Sequence, residues 1–142
     1  MKIWEVMSNS VVKIHPQEPV SVAARMLNQY NVGALPVCGN DGMLCGLVTD
    51  RDLVIRCMAA GKRPENTPVQ DVMTAAVVSV RPDMETSAAA HLMGRRQIRR
   101  LPVVENGKLC GMVSLGDLAA REESNPDAAD ALGEISSNIS FR

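Results

Sequence analysis

Gly46-Leu47-Val48-Thr49-Asp50-Arg51-Asp52-Leu53 and Gly111-Met112-Val113-Ser114-Leu115-Gly116-Asp117-Leu118 state one pattern twice: an apolar strand ending in a hydroxyl residue, with an acid three positions on. Working outward from this pair, the duplication extends over most of the chain. Val6-Met7-Ser8 lies over Val72-Met73-Thr74, Val11-Val12 over Val77-Val78, Pro16 over Pro82, Ala23-Ala24 over Ala89-Ala90, and Leu35-Pro36-Val37 over Leu101-Pro102-Val103. One inserted residue near Asp41 shifts the register. Leu44-Cys45-Gly46 then matches Leu109-Cys110-Gly111, and Arg56 matches Arg121.

Each copy reads as βαββα. A β-rich stretch at residues 11–14 or 77–80 is closed by a proline. Val20, Ala23, Ala24, Leu27 and Tyr30 then recur on one face of a 3.6-residue period, and Ala89, Ala90 and Met93 repeat that face. Two short apolar strands follow, joined by Gly39-Asn40-Asp41-Gly42 in the first copy and by Glu105-Asn106-Gly107 in the second, both suited to tight turns. A last helix starts at Thr49 and stops at Gly61, with its counterpart starting at Ser114. One unit buries too little to be comfortably stable, so the two are expected to pack sheet to sheet, as a pseudo-two-fold α/β (α+β) module with a common core. The boundaries expected are 1–60 for the first repeat, 61–70 for a linker holding Pro64 and Pro68, 71–121 for the second repeat, and 122–142 for a tail. In the tail, Glu122-Glu123-Ser124-Asn125 is a polar break, and Pro126 opens a short helix with Leu132, Ile135 and Ile139 on one side. That helix is expected to pack on the module or on a second subunit.

The bulk properties narrow the function. Of 142 residues, 46% are hydrophobic and 22% charged, which is ordinary globular usage. A net charge of −1 argues against a polyanion binder, and an aromatic content of 2% cannot supply a base-stacking platform. No apolar run reaches the roughly 20 residues that span a bilayer, and Met1-Lys2-Ile3-Trp4-Glu5 does not begin a signal peptide. The expectation is a cytoplasmic protein that engages neither nucleic acid nor membrane. Cys38, Cys45, Cys57 and Cys110 lack CxxC spacing and sit in apolar segments, so neither a disulfide framework nor a metal site is expected. His15 and His91 have no matching partners, and no nucleophile elbow, zinc helix or phosphate loop of known spacing occurs. No catalytic residue is assigned.

Two features carry chemistry. The Thr49–Asp52 and Ser114–Asp117 pairs are capping boxes in the structural reading. In the functional reading the same turn faces a small anion, and its Asp accepts the hydroxyls of a ribose. The run Arg95-Arg96-Gln97-Ile98-Arg99-Arg100 is a solvated face in the first reading. In the second, Arg99 and Arg100, directly before Leu101-Pro102-Val103, form a phosphate clamp at the sheet edge. The matching residues in the first copy are Gly33 and Ala34, so any phosphate anchor is weighted to the second.

These residues resemble the tandem cystathionine β-synthase (CBS) domain pair over residues 1–121, and the stand-alone bacterial form of it in particular. The resemblance implies two ligand clefts, dimerisation into a flat disc, and an adenosyl ligand such as AMP, ADP, ATP or S-adenosylmethionine bound as a regulator rather than as a cofactor. It implies Thr49, Arg51 and Asp52 with main chain near Val77 and Val78 in one cleft, and Ser114 and Asp117 with main chain near Val11 and Val12 in the other. Arg99 and Arg100 match phosphate-contacting positions, and Gly116 replaces the side chain that Arg51 supplies. A separate, unidentified protein would be regulated. A scaffold with vestigial clefts is the competing expectation.

Overall fold

The computed structural model describes residues 1–121 and 125–137; Glu122-Glu123-Ser124 of the expected polar break and Ile139 of the tail lie outside the described residues. The first copy folds as α1 (Val20–Tyr30), β1 (Ala34–Cys38), β2 (Leu44–Thr49) and a short α2 (Asp50–Asp52) continuing into a π-helical turn over Leu53–Met58. The second folds as α3 (Thr86–Arg96), β3 (Arg100–Glu105), β4 (Lys108–Ser114) and α4 (Leu115–Ala119), followed by α5 (Asn125–Ser137).

The duplicated mixed α+β architecture is thus present, with local differences. β1 and β2 pair antiparallel with a register shift between Val37 and Cys38, a bulge that leaves Cys45 without a partner across the ladder. β3 pairs with β4 across Asn106 and Gly107, whose φ values of 53° and 80° are those of the primed turn that matches strand twist. The stretches at 11–14 and 77–80, expected as strands, are reduced to one parallel bridge each, Ile14 to Val37 and Val80 to Val103. Pro16 and Pro82 follow closely and lack the N–H that another rung would require. The helix expected from Thr49 to Gly61 begins with a regular turn and widens where the Ala59 N–H donates to the Val54 carbonyl. It ends as expected at Gly61, φ 71°, where Gly61 N donates to Met58 O and Lys62 N to Cys57 O.

Two compact units form, and they are not the sequence copies. One comprises Met1–Val11, Val78–Asn106 and the described residues from Cys110 onward; the other comprises Val12–Val77 with Gly107–Leu109. The segment ahead of each copy therefore docks on the opposite copy. Ser8 and Met112 exchange both main-chain bonds at 2.8 and 3.0 Å, and Thr74 and Leu47 do the same at 2.8 and 3.0 Å. The close approach is possible because Gly111 and Gly46 have no Cβ: one added there would stand 2.5 Å from the Ser8 and Thr74 carbonyl oxygens respectively.

Buried apolar side chains gather into one cluster per unit, so the core expected to be common is divided. Ile14, Val20, Leu35, Val48 and Val72 belong to one, and Ile3, Val80, Met93, Leu101, Leu118 and Ile135 to the other. In the latter unit α5 packs on α3 and α4. Its buried face is Ala128, Ala131 and Ile135; of the expected Leu132 and Ile135, only Ile135 is buried, and Leu132 is 43% exposed. At Gly94 on α3 a Cβ would meet the end of the exposed Glu134 side chain, at 2.7 Å from its carboxylate, which a change of rotamer relieves.

Candidate functional site

Both strand-to-helix turns form complete capping boxes. Asp117 N donates to Ser114 Oγ at 3.0 Å and Ser114 N to Asp117 Oδ2 at 2.8 Å. Asp52 N donates to Thr49 Oγ1 at 3.1 Å and Thr49 N to Asp52 Oδ2 at 3.0 Å. The structural reading of these residues is therefore correct as far as it goes, and the two acids differ in what remains. Asp52 is buried, its Oδ1 accepts from Thr74 Oγ1 at 3.4 Å, and Arg56 Nε stands 3.9 Å away. Asp117 is half-buried, and among the described residues its Oδ1 accepts nothing. The second turn thus holds a carboxylate oxygen free for a hydroxyl donor.

Beside that turn lies a cavity of about 560 Å³, a size suited to a small organic ligand. Arg99, Arg100, Ser114, Leu115, Gly116 and Ala119 line it together with Asn125, Ala128, Ala129 and Leu132 of α5. The Leu115 N–H donates to the Arg99 carbonyl at 2.8 Å, fixing the arginine edge against the start of α4. Among the described residues neither Arg99 nor Arg100 has a carboxylate partner, so both guanidinium groups are open to an anion. Asp117 and Val11 are not among the lining residues, although both belong to this unit.

The main chain offers further donors. Among the described residues the N–H groups of Val11, Val12 and Val78 donate to no protein acceptor, while Val77 N reaches Ala75 O at 3.0 Å. Arg51 is exposed on α2, in the unit that also holds Thr49, Asp52, Val12 and Val77. Of the residues singled out from sequence, the structure brings Thr49 to Asp52, Ser114 to Asp117, and Arg99 and Arg100 to one cavity with Ser114. Sequence reasoning missed the α5 wall, because Asn125, Ala128 and Ala129 carry no apolar periodicity that would mark them.

Elsewhere the ionisable groups act structurally. Burial pushes the Cys38 thiol up, away from reactivity. The Lys2 ammonium, with help from the Met1 amine, holds the Glu85 carboxyl below the usual carboxylate range and pins the N-terminal segment to the start of α3. Among the described residues no group of three or more His, Cys, Asp or Glu could hold a metal ion, and no helix is long and apolar enough to cross a membrane.

A family model described as CBS domain matches residues 3–58 and again 69–123. The CBS domain-containing protein YhcV of Bacillus subtilis is 43% identical over 134 residues, 94% of each chain. Hypoxic response protein 1 of Mycobacterium tuberculosis is 31% identical over 115 residues, 81% of this chain and 80% of its own. The crystal structure of Hypoxic Response Protein I with two coordinated zinc ions superposes with a TM-score of 0.79 at 30% identity, covering 85% of this chain and 98% of that one. The CBS domain pair of protein MJ0100, in complex with 5-methylthioadenosine and S-adenosyl-L-methionine, superposes with a TM-score of 0.71 over 94% of this chain and 96% of its own; at 22% identity this is a likeness of fold alone.

Proposed function

The chain belongs to the CBS domain family, as a tandem pair, and on that premise we propose that it is a regulatory module that binds an adenosyl ligand and catalyses no reaction of its own. The observation that carries this reading is the second strand-to-helix turn, where an unoccupied Asp117 oxygen and two unpaired guanidinium groups stand in one unit. A ribose hydroxyl donates to Asp117, Ser114 adds a second polar contact, and Arg99 and Arg100 hold phosphate or carboxylate groups. The open N–H group of Val11, in the same unit, reads the adenine edge. AMP, ADP, ATP and S-adenosylmethionine all present this combination, and the adenosyl compounds bound by MJ0100 fall in the same class.

The first copy's site, built on Thr49, Arg51 and Asp52 with Val77 in the same unit, is the weaker of the two. Asp52 already spends both oxygens within the protein, and Gly33 and Ala34 stand where the arginines would be. The module works in the cytoplasm as a homodimeric disc, and a separate protein reads its ligand state. A second reading, a scaffold with vestigial sites, is favoured by one observation: capping alone accounts for both Ser/Thr–Asp pairs.

Calorimetric and thermal-shift titration with the four ligands separates the readings. A ligand specific for the native state at 100 times its Kd adds about 2.7 kcal/mol of stability. Asp117→Ala and the Arg99→Ala/Arg100→Ala double variant should lose that shift, while Asp52→Ala should retain it. Loss of stability in Asp117→Ala with no ligand bound by the wild type would establish the scaffold.

A further inference from the structure

Two departures of the second copy from the first meet at one cavity. Arg99 and Arg100 stand where the first copy has Gly33 and Ala34, and α5 lies over a surface that the first copy leaves open. Ala90 and Leu118 are buried beside α5, whereas Ala24 is exposed at the position matching Ala90, and Val54 and Ile55 are 49% and 52% exposed just beyond the position matching Leu118. Leu132 of α5, 43% exposed, faces the same cavity as the arginines.

We propose that α5 is the responding element of the ligand site: an anion held by Arg99 and Arg100, with its apolar or aromatic portion on Ala129 and Leu132, ties α5 to the arginine edge. This rests on the reading of those arginines as ligand contacts. A helix of 13 residues has little stability alone, and α5 is held by the burial of Ala128, Ala131 and Ile135 and by hydrogen bonds from Asn125 Nδ2 to the Ala119 carbonyl and from Gln97 Nε2 to the Glu134 carbonyl. Release of α5 therefore costs only part of the stability of its unit, and a ligand's differential affinity can act on it. A ligand that touches α5 only when it is docked shifts the population toward that form.

Hydrogen exchange of the intact protein, with and without AMP, ATP and S-adenosylmethionine and with binding followed in parallel by calorimetry, tests this directly. Saturating ligand should slow exchange in α5 about tenfold and leave α1 unchanged. Leu132→Asp, at an exposed position, should weaken binding about tenfold and abolish the slowing, and Leu132→Met should preserve both. Binding with unchanged α5 exchange, or wild-type affinity in Leu132→Asp, overturns the coupling and leaves the ligand reading standing. If calorimetry finds that none of the three compounds binds the wild type, the ligand reading fails and the coupling falls with it.

Discussion

At Gly46 and Gly111 the docking of a whole segment depends on the absence of one methyl group. An alanine Cβ at either position would lie 2.5 Å from a carbonyl oxygen, that of Thr74 or of Ser8, and 2.9 or 3.0 Å from the sulfur of Met73 or Met7. The sulfur is at the end of a flexible side chain and moves cheaply, but the carbonyl is fixed by bonds in both directions to Leu47 or Met112. Gly46→Ala and Gly111→Ala should each cost about 2–4 kcal/mol in urea unfolding, and a cost below about 0.5 kcal/mol would show that the segments yield. The two capping acids should part in the same assay. Asp117→Ala loses a cap, about 1 kcal/mol, whereas Asp52→Ala loses the cap and leaves Thr74 and Arg56 without their buried acceptor, so its cost should be about twice as large. Asn31 ends α1 at φ 52°, a left-handed backbone that glycine adopts freely. Asn31→Gly should be neutral or stabilising by a few tenths of a kcal/mol, and Asn31→Val destabilising by about 1–2 kcal/mol.

Among the elements, the N-terminal segment is the one whose docking is electrostatic at its start. The Glu85 carboxyl is held below its ordinary range, first by the Lys2 hydrogen bond and then by the Met1 amine, and the Lys2 ammonium is raised by the same contact. A carboxylate whose folded pKa lies below its unfolded one contributes stability that is fully present above the unfolded value and is lost as pH falls through the folded one. The segment should therefore loosen at acid pH, below the ordinary carboxylate range. Trp4, the sole tryptophan and 58% exposed, lies two residues after Lys2 and its main-chain N–H donates to Pro82 O, so its fluorescence reports the change. Glu85→Gln should remove that acid transition, and a transition unchanged in the variant would place its cause elsewhere. No sequence pattern marked this docking, because the repeat says which segments correspond but not which copy each one covers. The hairpins and the capping boxes were legible because their signals are local: Asn106-Gly107 sets a turn, and a hydroxyl with an acid three residues on sets a cap. The strands at 11–14 and 77–80 were over-read because β-branched runs such as Val11-Val12 and Val77-Val78 satisfy the same pattern when only one rung forms. The face of α5 was misread because Ala128 and Ala131 are the residues that join Ala90 and Met93 of α3 in the core, and alanines carry too little hydrophobicity to mark a face against Leu132.

For the molecule as a whole, the division of the core is what α5 makes testable. Its Ala128, Ala131 and Ile135 lie in one cluster with Ala90, Met93, Leu115 and Leu118, and none of its residues is in the cluster built on Ile14, Val20, Leu35 and Val48. Ending the chain at Arg121 removes the burial of one Ile and two Ala side chains and uncovers the Ala90 and Leu118 positions, a loss of about 3–5 kcal/mol from the apolar area re-exposed. If the clusters are energetically separate, that loss should appear as faster amide exchange in α3, β3 and α4, while α1 and β1 keep their protection, because local opening follows the contacts each segment makes. The truncated protein should then bind a hydrophobic dye through one unit only and unfold in two steps. A single cooperative transition, with α1 deprotected as much as α3, would instead mean that the duplicated halves share their stability although their buried side chains form separate clusters, and the asymmetry of Arg99, Arg100 and α5 would then act on both copies at once.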